Sequence, residues 1–189
     1  MIALIHLLNI ITLTACTNFL SQINMEIKTH TESNYTLISM HEIGEVRKSD
    51  ILKHLSFHSS DVFQPGEIMF NFQARTRHQH ATYLTIQIGV KTHITFDPEF
   101  LQYINHSCDP NVFFDTATMK MICLKPLNPG DEMVFFYPST EWDMAQPFVC
   151  NCSNDNCLKY INGAAHIQKE VLKKYRLTDF ILQQLGHNF

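Results

Sequence analysis

Three cysteines near the C-terminal end, Cys150, Cys152 and Cys157, are spaced C-x-C-x4-C. Thiolates in such a run bind zinc, and three of them make an incomplete tetrahedral site. A fourth ligand has to come from elsewhere in the chain. Cys108 is the best candidate, because it sits without a near cysteine neighbour in the polar stretch Tyr103-Ile104-Asn105-His106-Ser107-Cys108-Asp109-Pro110-Asn111. Asn, His, Ser and Asp bond to nearby backbone and hold irregular turns. One zinc ion bound by Cys108, Cys150, Cys152 and Cys157 would tie this loop to the cysteine run, and the active site is expected at that junction. Four thiolates leave no open position, so the ion would be structural. A disulfide framework is the competing reading, but it belongs to oxidising compartments and small cores. The two cysteines of C-x-C also bridge poorly to each other.

Asn105 to Asn111 resembles the signature of the SET-domain protein lysine methyltransferases. Gly130-Asp131-Glu132-Met133-Val134-Phe135-Phe136-Tyr137 is similar to that family's second motif, and the cysteine triplet to its post-SET zinc segment. The resemblance covers roughly residues 35 to 165. It implies a mainly β fold of several small sheets with a knot-like core, and transfer of a methyl group from S-adenosylmethionine to a lysine ε-amine of a protein, histone or non-histone. It implies Tyr137 as the catalytic residue, bordering the methyl-transfer path. Asn105, His106, Tyr137 and Leu158 are the implied cofactor contacts, and Phe135 and Tyr103 the implied substrate-channel residues. Phe rather than Tyr at position 135 leaves room for di- or trimethylation. Phe148 flanks the cysteine tail beside Leu158 as a further apolar wall. Three positions depart from the family pattern. His54-Leu55-Ser56 stands where a Gly-x-Gly turn is usual, Gln102 replaces an Arg, and Phe136 replaces a frequent Asp. A SET-like peptide-binding module without activity is the alternative implied by the missing glycines. An exported, cysteine-stapled protein without enzymatic role is a second alternative.

The elements that must position these residues are short and strand-rich. Strands are expected over Tyr35 to Met40, Ile68 to Phe72, Tyr83 to Val90, His93 to Phe96, Met119 to Leu124 and Glu132 to Tyr137, with Pro and Gly turns between them. Val46 to Leu55 reads equally as a short helix or an irregular strand, and Arg75 to His80 as a polar loop. Phe100 to Ile104 reads as one helical turn leading into the polar loop. From Ala164 the period changes, since Ala164, Ile167, Val171, Leu172 and Tyr175 share one helical stripe. Thr178 is the expected N-cap of a last helix, Asp179 to Leu185, with Gly186 past its end. The expected organisation is an apolar N-terminal segment over 1–24, a SET domain over 35–138, a zinc segment over 139–163 and a helical tail over 164–189.

A length of 189 residues with 45% apolar composition suits one domain with a real core. The net charge of −4 gives no reason to expect nucleic-acid or acidic-membrane binding, and it is compatible with a basic peptide partner. A monomer is expected. Met1 to about Leu20 is apolar like a signal sequence but has no Lys or Arg before it. It reads as a signal, as a packed helix, or as an upstream start with Met25 the true one. Asn105-His106-Ser107 and Asn151-Cys152-Ser153 are glycosylation acceptor patterns, and glycans there would sit on the expected site. An intracellular location, cytoplasmic or nuclear, is therefore expected, with export or delivery into a host left open.

Overall fold

A computed structural model describes residues 34–186. The apolar N-terminal segment, Cys16 and Met25 lie outside the described residues. The chain divides into two compact units, Met1–Thr36 with Ser49–Lys53, and Leu37–Lys48 with His54–Phe189. In the first, the Thr36 hydroxyl donates to Asp50 Oδ1 at 2.8 Å, and Ser49 Oγ accepts from Leu52 N–H at 3.0 Å. The residues expected to carry chemistry all belong to the second. Among the described residues no helix is long and apolar enough to cross a membrane.

The fold is mainly β, as expected, with five small sheets and short C-terminal helices among the described residues. Strands β1 (Tyr35–His41), β2 (Gly44–Ser49) and β3 (Leu55–Ser59) form the first, in that order. Strands β4 (Ile68–Asn71), β9 (Val112–Asp115) and β10 (Lys120–Cys123) form the second, with β10 in the centre and both pairings antiparallel. Strands β5 (Gln73–His78), β6 (Ile86–Gly89) and β7 (Thr92–Asp97) form the third, with β7 in the centre. Two-residue strands β8 (Asn105–His106) and β11 (Val134–Phe135) pair in parallel, and β12 (Phe148–Val149) and β13 (Tyr160–Ile161) pair antiparallel.

Several local expectations change. The polar run from Arg75 is not a loop. It lies in β5, an edge strand whose side chains are mostly exposed, so ladder pairing with β7 holds it rather than burial. The ambiguous stretch from Val46 resolves into the end of β2, a turn, and the start of β3. Tyr83 to Thr85 is a turn closed by Thr85 N–H on Thr82 O, and the strand starts only at Ile86. The strand expected through Tyr137 ends at Phe135, and Tyr137 instead opens a 3-10 turn, Tyr137–Ser139, where Pro138 is well placed near the N-terminus. The stripe from Ala164 breaks into a 3-10 turn, Ala164–His166, and helix α1 (Lys169–Leu172). Thr178 caps helix α2 (Asp179–Leu185), its hydroxyl accepting from Ile181 N–H, and Gly186 ends the helix at φ +80°. The 3-10 turn Glu99–Tyr103 is where a helical turn was expected.

The main core joins the sheets through aromatic rings. Phe72 meets Phe114 edge-on at 5.5 Å, Phe114 meets Phe135 at 4.9 Å, and Phe135 leans on Tyr137 at 4.6 Å. This chain of rings, at separations typical of aromatic pairs, runs from the centre of the protein to the residue expected to do chemistry. A second core, with Phe136, Leu172, Phe180 and Ile181, lies under the tail.

Candidate active site and cysteine cluster

The two polar motifs are stitched together side by side. Asn111 Nδ2 donates to Glu132 O at 2.8 Å, and Val134 N–H donates to Asn111 Oδ1 at 2.8 Å. Ser107 N–H donates to Phe135 O at 3.0 Å. Asn105 Nδ2 donates to Leu55 O at 2.9 Å and to Glu132 Oε1 at 3.1 Å, so both amide hydrogens are used inside the protein. Leu55 belongs to the glycine-free stretch. The close backbone approach in this sheet occurs instead at Gly44, where a Cβ would lie 2.2 Å from His58 O.

His106 links the two halves of the site. Its Nδ1 accepts from Tyr137 N–H at 3.2 Å, and its Nε2 lies 3.4 Å from Cys108 Sγ. Burial lowers its pKa to about 4, so the ring is neutral near pH 7. With Nδ1 accepting, the proton of the neutral ring is on Nε2 and is donated to the sulfur.

The structure brings Cys108, Cys150, Cys152 and Cys157 together, with all four Sγ atoms within 4.8 Å of one another. Cys108 and Cys150 sulfurs are 3.9 Å apart. A tetrahedral zinc with thiolate ligands has sulfur–sulfur edges of about 3.8 Å, so the donor set and spacing fit that ion. The thiols are unequal. Burial raises Cys150 to about 11 and pushes Cys108 up as well. Burial also opposes ionisation of Cys152, but N–H groups of Asn154 and Cys108 turned on the sulfur bring it down to about 6. A central cation would supply the charge that favours the thiolate at all four. The run folds back onto Cys108 through left-handed backbone at Ser153 (φ 58°) and Lys159 (φ 66°), positions where no glycine signals a turn.

Beside the cluster opens a cavity of about 290 Å³. Ile104, Phe135, Tyr137 and Phe148 form one part of its wall, Ile86 and Met144 another. Tyr137 is largely buried, and its hydroxyl donates to Ile104 O at 3.4 Å. Burial, with help from Glu132 and Glu141, pushes its pKa up, which keeps the phenol protonated. Of the residues expected at the site, Tyr137 and Phe135 line this cavity. Asn105, His106 and Leu158 do not. Leu158 packs with Tyr137 and Phe148 against the cysteine cluster, so Tyr137 and Phe148 stand between cluster and cavity. Tyr103 does not line the cavity either; it packs on the edge of the main core.

Residues 19–138 match the SET domain family. The chain belongs to the SET domain family. A methyltransferase, flvH, of Aspergillus flavus is 43% identical over 107 residues, which cover 56% of this chain and 60% of the relative. A SET and MYND domain-containing protein of Dictyostelium discoideum is 39% identical over 66 residues, 30% of this chain and 19% of the relative. A histone-lysine N-methyltransferase, H3 lysine-36 specific, of Candida albicans is 30% identical over 91 residues, 45% of this chain and 10% of the relative. This SET-domain chain thus spans at most 60% of the length of these relatives.

Sequence reasoning missed two parts of this SET-domain site. Phe136 is buried and stacks face to face on Tyr175 at 3.7 Å, and the Tyr175 hydroxyl donates to Cys108 O at 2.9 Å. The tail thereby braces the cysteine loop. Glu141 lies in the cavity wall, buried, with its pKa raised to about 7 by burial. Nothing in the local pattern around Ser139-Thr140-Glu141 distinguishes it from a surface carboxylate.

Proposed function

We propose that this SET-domain protein is an S-adenosylmethionine-dependent protein-lysine methyltransferase with one structural zinc held by Cys108, Cys150, Cys152 and Cys157. The observation that carries the reading is Tyr137, packed against Phe135, His106 and Phe148 and lining a cavity of about 290 Å³. The names of the relatives support the reaction class. The cofactor, when bound, supplies an electrophilic methyl group.

The chain's own residues then have separate tasks. The aromatic walls of Phe135 and Phe148 narrow the approach, exclude water and align the lysine, and rings facing a methylammonium attract it. Tyr137, protonated and tied to Ile104 O, offers a fixed polar edge in the apolar wall that orients the amine. Asn105, His106 and Leu158 are the proposed cofactor contacts. Because the Asn105 amide hydrogens are already used, its contribution comes through Oδ1 and the backbone. Phe135 supports di- or trimethylation. Cys108, Cys150, Cys152 and Cys157 would hold the zinc, which would tie residues 150–157 to Cys108 and keep Leu158 in place.

The test is calorimetric titration of the full chain, carrying one zinc, with S-adenosylmethionine, followed by methyl transfer to protein mixtures. The wild type and Tyr137→Phe should both bind. The variant should transfer about 100-fold or more slowly, the loss typical of removing one positioned hydroxyl or N–H donor. A folded, zinc-loaded protein with no affinity for the cofactor overturns the enzyme reading and favours a peptide-binding module.

A further inference from the structure

Glu141 is 7% exposed and lines the cavity. Its Oε1 accepts from Gln87 N–H at 2.8 Å and from the Thr140 hydroxyl at 3.1 Å. The Gln87 side chain in turn accepts from Trp142 N–H at 3.0 Å, so the carboxyl is held rigidly between β6 and the segment after Tyr137. Among the described residues Oε2 has no hydrogen-bond partner, and Glu141 makes no ion pair. No Lys, Arg, His or Asp lines the cavity with it. Among the described residues the carboxyl is thus the one acidic group in an otherwise largely apolar wall, with no basic side chain beside it.

A clamp between β6 and the post-Tyr137 segment explains the two bonds to Oε1 but not the choice of an ionisable carboxyl with a spare oxygen. A glutamine would accept the same two bonds and avoid most of the cost of burying a carboxylate. A buried carboxylate with a spare oxygen and no cation of its own is a receptor for a cation brought from outside. Tyr83, exposed at the cavity mouth, and the rings of Phe135 and Phe148 further in add aromatic faces that suit the same charge.

We propose that Glu141 binds a cationic group of the peptide substrate, an ammonium or guanidinium, inside this cavity. The proposal rests on the methyltransferase reading and extends it to substrate selection. The cation has two possible sources, the acceptor lysine itself as it enters or a Lys or Arg beside it in the peptide.

The experiment uses the full-length, zinc-loaded protein and a library of peptides with one acceptor lysine and randomised flanks. Methyl transfer gives kcat and KM, and fluorescence anisotropy gives binding of peptides with the acceptor as lysine or norleucine. Wild type, Glu141→Gln and Glu141→Asp are compared, with melting temperature and cofactor affinity checking the fold. A flanking source predicts that the wild type prefers Lys or Arg over Gln at one fixed position by about tenfold or more in kcat/KM. Glu141→Gln would lose that preference and Glu141→Asp would keep part of it. An acceptor source predicts no flanking preference. Instead, the lysine-over-norleucine advantage in binding would fall about tenfold in Glu141→Gln and be partly restored in Glu141→Asp. A wild type with neither preference overturns the proposal, as does a folded Glu141→Gln protein that keeps KM, flanking preference and the lysine advantage. Both results leave the methyltransferase reading standing if transfer occurs. A wild type that binds the cofactor and methylates no lysine peptide overturns both.

Discussion

The cysteine cluster and the cavity share a wall at Tyr137 and Phe148, yet opposite physics builds them. The cluster gathers four sulfurs, among which burial pushes Cys108 and Cys150 up while N–H groups bring Cys152 down to about 6. Its donor set suits an added positive charge. The cavity is shaped by rings anchored in the main core through Phe114 and Phe135, and it contains one carboxyl that burial disfavours. Its shape needs no ligand. Phe136 sits between them in sequence and serves a third purpose, joining the tail to the cluster through Tyr175. Three successive residues, Phe135, Phe136 and Tyr137, therefore serve cavity, tail and junction in turn.

Removing the metal should break this contrast most sharply. With zinc held as proposed, its binding contributes on the order of 10 kcal/mol to the folded state of its segment. Chelation, or Cys150→Ser, should unfold residues 150–160 and abolish cofactor binding while the β core melts cooperatively at higher temperature. Hydrogen exchange on the two regions checks it, and uniform loss of protection in both would mean that cluster and β core unfold as one unit.

The next effect is at Phe136. Phe136→Ala removes a buried ring and should cost about 4 kcal/mol. Denaturant unfolding should show that loss, and zinc affinity should fall with it because Tyr175 loses its support. Unchanged zinc affinity would mean that the tail does not brace the cluster.

Glu141 sharpens the cavity side. Its folded-state pKa, about 7, is above the ordinary carboxylate value, so its favourable contribution is complete at acid pH, below the unfolded value. That contribution is lost as pH rises through about 7, and amounts to roughly 3 kcal/mol at most. Melting temperature should fall more for wild type than for Glu141→Gln as pH is raised from about 4 to about 8. Parallel pH profiles would show that the carboxyl does not titrate in the folded state as described. The smallest change is Tyr175→Phe, which deletes one hydrogen bond to Cys108 O and should cost about 1 kcal/mol with the ring stack intact.

Much of the site was legible because its chemistry is local in sequence. Asn105 to Asn111 and Gly130 to Tyr137 are short runs of turn-forming and strand-forming residues, and they do lie side by side. Cys108 was assigned to the cysteine run by ligand counting, and its sulfur lies with the other three. Other features had no local signal. β5 is a strand only because β7 offers it a ladder, since its own side chains are polar and exposed. The hairpin of β12 and β13 needs left-handed turns at Ser153 and Lys159, where the sequence offers no glycine. The stripe from Ala164 is amphipathic but too interrupted to propagate one helix, because packing under the tail, rather than period, sets where each turn ends.

What the sequence determined by itself was the chemistry at hand: four thiols able to bind one cation, a tyrosine closing the second motif, a polar loop to meet them, and the cap and stop of the last helix. These are properties of residue type and short-range spacing, and they survive without knowledge of the fold. Only the tertiary structure decided which side each one faces. It turned Tyr137 onto the cavity and Phe136 onto Tyr175, used the Asn105 amide within the protein, and buried Glu141 in the cavity wall without a cation. Those outcomes depend on contacts between residues far apart in the chain, such as Gln87 with Glu141, Asn105 with Leu55 and Phe136 with Tyr175. Long-range packing and desolvation set them, and neither is written in any short stretch of the chain.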